Sequence, residues 1–206
     1  MQRKRLKTGV LISGSGTNLQ ALIDACAASD FPAEIVLVIS NRADAGGLER
    51  AKRAGIATKI IPHKDYPSRE AFDMAIDAAL RGAGVEFVCL AGFMRLLTPG
   101  FVNQWHDQLV NVHPSLLPAF KGIDAVEQAL AAGVHTTGCT VHFVRPEMDT
   151  GPILLQMEVP IEAGDSSEVL HDRIRLAEHR AYPQALRLIA AGKVAVSGET
   201  VTITDN

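Results

Sequence analysis

The sequence predicts an α/β fold built on a parallel sheet. Three observations carry this. Short runs at residues 8–13, 34–40 and 87–91 are mostly apolar, and 34–40 is β-branched and continuous, as in strands covered on both faces. Between them stand segments with apolar residues three and four apart, such as Leu19, Leu22, Ile23 and Cys26. The alternation of the two patterns repeats through the first half, and parallel strands joined by crossover helices are its packing solution.

The elements follow in order. Residues 8–13 form a short buried strand and 17–28 a helix. Residues 34–40 form the second strand, and 45–54 a helix closed by Gly55. A third strand at 58–61 precedes a helix over 68–81, with Ser68 as N-cap and Gly82 as its stop. Residues 87–91 and 109–113 are the fourth and fifth strands. A short helix at 124–132 ends at Gly133. The style then changes: 138–144 and 153–159 are successive strands joined by a loop that holds Asp149. A long amphipathic helix covers 166–190, and a terminal hairpin turns at Ser197-Gly198 within 194–203. No repeat, low-complexity run or Pro/Ser-rich linker divides the chain, so one domain is expected over 1–206.

Bulk properties narrow the function. A chain of 206 residues, 47% hydrophobic and 21% charged, can bury one good core. A net charge of -3 argues against a general nucleic-acid binder but leaves room for a local anion pocket. Cys26, Cys89 and Cys139 are scattered without ligand spacing, so no metal site is expected and the setting reads as reduced and cytoplasmic. The basic residues 1–5 read as a solvated arm. The apolar run after them is too short for a secretory signal, and no window spans a bilayer.

Two segments carry chemistry. Gly14-Ser15-Gly16-Thr17-Asn18-Leu19 follows the first strand and opens the first helix, where free N–H groups and the positive dipole end favour an anion. Leu19 stands where a dinucleotide fingerprint needs its third glycine, and Ser40-Asn41-Arg42 lacks the acid that fingerprint places after the second strand. A phosphate monoester fits better; a tight turn without ligand is the alternative. The second segment is Leu109-Val110-Asn111-Val112-His113-Pro114. Residues i and i+2 of a strand share a face, so Asn111 and His113 point the same way, at a strand end fixed by Pro114. Amide and imidazole, with Asp149 downstream, suit stabilisation of a tetrahedral oxyanion. Bland roles stand beside these. Asp149 is a turn-former, Arg95 a surface charge, Arg69 an i,i+4 partner of Asp73, and Glu178-His179 a solvated helix face. His142 reads as a hydrogen-bonded sheet residue. His63, His106, His135, His171 and His179 read as surface or packing residues.

Taken in order, segments 12–20, 40–44, 47–51, 90–95, 111–118, 149–153 and 178–179 resemble the glycinamide ribonucleotide transformylases, folate-dependent formyltransferases of purine synthesis. The resemblance implies a single Rossmann-like domain with a mostly parallel seven-stranded sheet flanked by helices. It implies that Asn111, His113 and Asp149 are the catalytic trio. Gly16, Thr17, Asn18 and Glu178 would bind the ribonucleotide, and Arg69, Met94, Arg95, Leu96, Leu97 and Asn111 the folate. The expected substrates are 5-phosphoribosylglycinamide and the co-substrate 10-formyltetrahydrofolate, with no metal, nucleic acid or membrane, in a monomer or weak homodimer. Thr150 replaces a glycine common before Gly151, and Ala119-Phe120-Lys121-Gly122 is one of several versions among relatives. Both bear on the folate loop and leave the trio intact. The nearest rivals share the folate chemistry: a formyltetrahydrofolate hydrolase, or a formyltransferase acting on methionyl-tRNA. Each resembles a longer chain with an added domain, for which this one is expected to lack room. A nicotinamide-dependent oxidoreductase and a non-catalytic binding module are more distant alternatives.

Overall fold

The computed structural model describes residues 4–204. The chain divides into two compact units, split between Val110 and Asn111. In the first unit the elements are β1 (Leu6–Ile12), α1 (Thr17–Cys26), β2 (Ala33–Ser40), α2 (Gly46–Arg53), β3 (Ala57–Ile60), a 3-10 turn (His63–Asp65), α3 (Arg69–Gly82), β4 (Phe87–Leu90) and α4 (Pro99–Gln104). β5 (Leu109–His113) spans the division. The second unit continues with α5 (Ala125–Ala132), β6 (Thr136–Phe143), β7 (Ile153–Pro160), α6 (Ser167–Ala190), β8 (Val194–Ser197) and β9 (Thr200–Ile203). Among the described residues, no helix is long and apolar enough to cross a membrane.

The main sheet runs β3-β2-β1-β4-β5-β6-β7, and β8 pairs with β9 separately. β1 is parallel to both β2 and β4, β2 to β3, and β6–β7 is antiparallel. This is the mostly parallel seven-stranded α/β sheet that the resemblance implies. After β3 the chain returns to the other side of β1, where β4 lies, so the order reverses between β1 and β4. The carboxyl ends of β1 and β4 therefore open on the crevice where such sheets bind ligands. Val10, Leu11 and Ile12 of β1 are fully buried, as are Leu19 and Leu22 of α1. In the second unit α6 lays Leu170, Ile174, Ala177, Ala181, Tyr182 and Leu186 inward, one face of a 3.6-residue period. Burial pushes the thiol of Cys26 up to about 11 and that of Cys139 up to about 12.

Several expectations need correction. Helix α4 has no counterpart in the sequence reading, because six residues hold too little periodicity. Its signal was the pair Thr98-Pro99: the Thr98 hydroxyl accepts from the Phe101 N–H and Pro99 opens the helix. α5 starts at Ala125, one residue after the expected Asp124, which sits at φ 58 and caps nothing with its side chain. Of the basic arm, residues 1–3 lie outside the described residues. Arg5 is no solvated charge, since its guanidinium donates to the carbonyls of Phe31, at 3.0 Å, and Cys26. Lys4 is exposed and paired with Glu86.

Candidate active site

In the first unit the glycine loop sits where β1 hands over to α1. Gly16 is the N-cap of α1 at φ 72, a left-handed conformation that glycine adopts without steric cost. It is also a packing contact, because a Cβ on Gly16 would lie 2.5 Å from the Gly47 Cα. The loop is pinned from α2 by the Gly47 N–H on the Gly14 carbonyl, 3.1 Å, and by Arg50 Nε on the Ser15 carbonyl, 2.8 Å. Gly14 differs: it is exposed, and a Cβ there meets no atom within 4 Å. The loop borders a cavity of about 430 Å³ lined by Gly14 to Asn18, Arg42, His63 and Arg95. An anion entering it would meet the N-terminus of α1 and lining residues Arg95 and Arg42, the latter's guanidinium held by Asp44 at 2.7 Å.

A relay of hydrogen bonds shapes the same wall. The Met94 N–H donates to Ser13 Oγ at 2.8 Å, and Ser13 Oγ–H donates to Asn41 Oδ1 at 2.6 Å. Asn41 Nδ2 then donates to His63 Nδ1 at 3.2 Å. His63, taken from sequence as surface or packing, is thus a wall residue of the cavity. Arg69 does not pair with Asp73. Its guanidinium donates to the carbonyls of Leu96, at 2.8 Å, and Leu97, at 3.4 Å, while Asp73 accepts from the Thr98 N–H at 2.6 Å. These bonds bring Arg69 together with the Leu96–Leu97 segment. Met94, Arg95 and Leu96 are exposed and Leu97 is buried.

In the second unit Asn111, His113 and Asp149 converge. Asp149 Oδ2 lies 3.5 Å from His113 Nδ1 and accepts from the Gly122 N–H at 2.8 Å. Its side chain is 9% exposed, far more buried than a solvated turn residue would be. His113 Nε2–H donates to the Phe120 carbonyl at 2.8 Å, which fixes that nitrogen as protonated.

His142 is the hydrogen-bonded sheet residue the sequence predicts, but it also belongs to the site, which the sequence reading missed. Its Nε2 is 3.4 Å from Asn111 Nδ2 and 3.7 Å from Asp149 Oδ1, so it touches two members of the trio. Burial lowers its pKa, which outweighs the opposing pull of the Phe143 carbonyl and Asp149. The neutral ring carries its proton on Nδ1, donating to the Phe143 carbonyl at 3.0 Å, and Nε2 accepts from the Asn111 amide. The approach of His142 to Asp149 is therefore no ion pair at neutral pH. The available signal was parity: Asn111 and His113 share one face of β5, and His142 lies on the strand next to it. Strand order, which periodicity does not reveal, was needed to use it.

Glu178 is buried, 8% exposed, and not part of a solvated helix face. With Pro114, His171, Asp172 and Arg175 it lines a second cavity of about 620 Å³, which begins next to His113 in the chain. No group of three or more His, Cys, Asp or Glu among the described residues could hold a metal ion.

Comparison with known proteins follows the same lines. The formyl transferase family model matches residues 6–186. The trifunctional purine biosynthetic protein adenosine-3 of Gallus gallus is 53% identical over 95% of this chain, which spans only 20% of that protein's length. Phosphoribosylglycinamide formyltransferase of Escherichia coli (strain K12) is 45% identical over 90% of this chain and 87% of its own. The crystal structure of glycinamide ribonucleotide transformylase 1 from Symbiobacterium toebii superposes with a TM-score of 0.95 at 50% identity. That match covers 98% of this chain and 95% of the other.

Proposed function

The chain belongs to the formyl transferase family, and from that membership we propose that it transfers the formyl group of 10-formyltetrahydrofolate to the amine of 5-phosphoribosylglycinamide. The products are tetrahydrofolate and the N-formyl ribonucleotide, a step of purine biosynthesis. The observation that carries the reading is the convergence of Asn111, His113 and Asp149 at one strand end, in a chain 45% identical to a bacterial phosphoribosylglycinamide formyltransferase along most of both lengths. The match over 6–186 includes both compact units, which supports treating 1–206 as one formyltransferase domain. We take the protein to work in the cytoplasm, as a monomer or weak homodimer, with no nucleic acid, membrane or metal.

The substrate amine attacks the formyl carbon directly. A C–N bond forms and the carbonyl becomes an oxyanion; the bond to the folate nitrogen then breaks, and that nitrogen takes up a proton as the amine loses one. Positioning and oxyanion stabilisation supply most of the catalysis in such a step. Asn111 gives one amide N–H to neutral His142 and its second to the oxyanion, so His142 orients the donor. His113, backed by Asp149, gives the oxyanion a second hydrogen bond and moves the proton to the departing nitrogen. Its Nε2–H first has to leave the Phe120 carbonyl. Gly16, Thr17 and Asn18 hold the phosphate at the α1 N-terminus, with Arg42 and Arg95 on the same cavity wall. Glu178 takes the glycinamide end from its own cavity. Arg69, Met94, Arg95, Leu96, Leu97 and Asn111 contact the folate.

The test is consumption of formylfolate by the purified protein with and without the ribonucleotide. A transferase consumes it only when the amine is present. Equal rates without the ribonucleotide would mean a hydrolase, and no consumption with both substrates would end the formyl-transfer reading.

A further inference from the structure

We infer that Arg145 is a positioning residue through which the C-terminal hairpin β8–β9 holds the loop that carries Asp149. The inference rests on the proposed role of Asp149 and adds a segment outside the family match, which stops at residue 186. Arg145 is the second residue after β6, at the base of the loop 144–152. Its side chain is only 8% exposed, a burial that a guanidinium tolerates when hydrogen-bonded and paired. Nε donates to Glu199 Oε1 at 3.1 Å and Nη2 to the Gly198 carbonyl at 3.4 Å, both in the hairpin turn. Nη1 reaches the Val144 carbonyl at 3.3 Å.

The stem of the same side chain closes the far end of the loop. A Cβ on Gly151 would lie 3.1 Å from Arg145 Cγ and 1.8 Å from the Phe143 carbonyl oxygen, so the two ends of the loop are pressed together there. The Phe143 N–H on the Pro152 carbonyl, 2.9 Å, seals that base. Inside the loop Thr150 Oγ1 donates to the Glu147 carbonyl at 3.0 Å, and Asp149 sits at φ 53. A non-glycine residue in that region persists when its surroundings hold it. Arg145 joins this loop base to the hairpin turn through both a carboxylate and a carbonyl. Releasing it frees the Asp149 carboxylate to leave the Gly122 N–H and His113.

The Gly122 amide gives a readout independent of turnover, because its N–H is bound by Asp149 Oδ2. Amide hydrogen exchange is compared in the full-length parent, Arg145→Met, Arg145→Lys and Glu199→Gln proteins. The Leu117 amide, held by Thr140 Oγ1, serves as control. Arg145→Met is expected to speed exchange at Gly122 about tenfold or more, with Leu117 unchanged. It is also expected to lower kcat for formyl transfer roughly tenfold while the KM for the ribonucleotide stays within about twofold. Lys keeps the charge without the fork and restores part of both. Gly122 exchange within about twofold of the parent in Arg145→Met overturns the inference, even if Tm falls. Should that variant fail to fold, Glu199→Gln, altered at an exposed side chain, decides alone: about threefold faster exchange supports the role and no change overturns it. If the parent itself transfers no formyl group, the reading of the site fails, while Gly122 exchange still judges Arg145.

Discussion

At the scale of single residues the site runs on protonation states set by burial and by hydrogen-bond partners. Removing an oxyanion donor from a preorganised site costs about 100-fold or more in turnover. Asn111→Ala and His113→Ala are each expected to lose that much kcat, with ribonucleotide affinity, measured by calorimetry, changing far less. Near-normal turnover in a folded His113→Ala protein would remove His113 from the mechanism. His142 makes a prediction about stability. Burial depresses its folded pKa below the ordinary value of 6.5, so below about pH 6.5 the unfolded chain binds a proton that the folded chain refuses. Its contribution to stability is therefore intact above pH 6.5 and is lost as pH falls from there through the folded pKa. Denaturant midpoints taken between pH 7.5 and 5 should fall with pH in the parent. They should fall less steeply in His142→Gln, which has no titrating ring.

At the scale of elements the glycine loop separates two roles that look identical in the sequence. From sequence, Gly14 and Gly16 both leave space for a ligand. In the fold only Gly14 faces open space, at the cavity, whereas Gly16 is buried against the Gly47 backbone at a positive φ. Gly14→Val should leave the denaturant midpoint close to that of the parent and weaken ribonucleotide binding about 30-fold, the loss of about 2 kcal/mol of charge-assisted hydrogen bonding. Gly16→Val should cost roughly 2 kcal/mol or more of stability, through strain and the clash with α2. Equal midpoints for the two variants would mean that the α1–α2 contact does not depend on Gly16. Capping acts at the same scale. The Ser68 and Ser166 hydroxyls accept the Ala71 and Val169 N–H groups at the starts of α3 and α6. Ser68 is the cap the sequence predicts; Ser166, expected as the first helical residue, is instead the N-cap of α6.

At the scale of the whole molecule, ligands that bind the folded chain alone raise its Tm by mass action. At 100 times its Kd the ribonucleotide should contribute about 2.7 kcal/mol, roughly 5–10 °C in a chain of this size. NAD should contribute nothing, because buried Leu19 occupies the third glycine of the dinucleotide fingerprint. A larger shift with NAD than with ribonucleotide in a thermal melt would reverse the reading of the glycine loop.

The sequence by itself determined the α/β alternation, the glycine loop at the head of α1, and the shared face of Asn111 and His113. Each is local: a period of two or 3.6 residues, or a turn residue at a strand end, is written in neighbouring positions. The ordered motifs also pointed to the formyltransferases, because their spacing along the chain survives without knowledge of the fold. Only the tertiary structure decided that His142 touches Asn111, that Glu178 is buried at a cavity, and that Arg69 reaches Leu96 rather than Asp73. It alone decided that Arg145 ties the Asp149 loop to a hairpin turn more than fifty residues away. Such pairings depend on which strands lie side by side and where a long side chain finds an acceptor. Those outcomes minimise the free energy of the whole packed chain, and local residue patterns do not encode them.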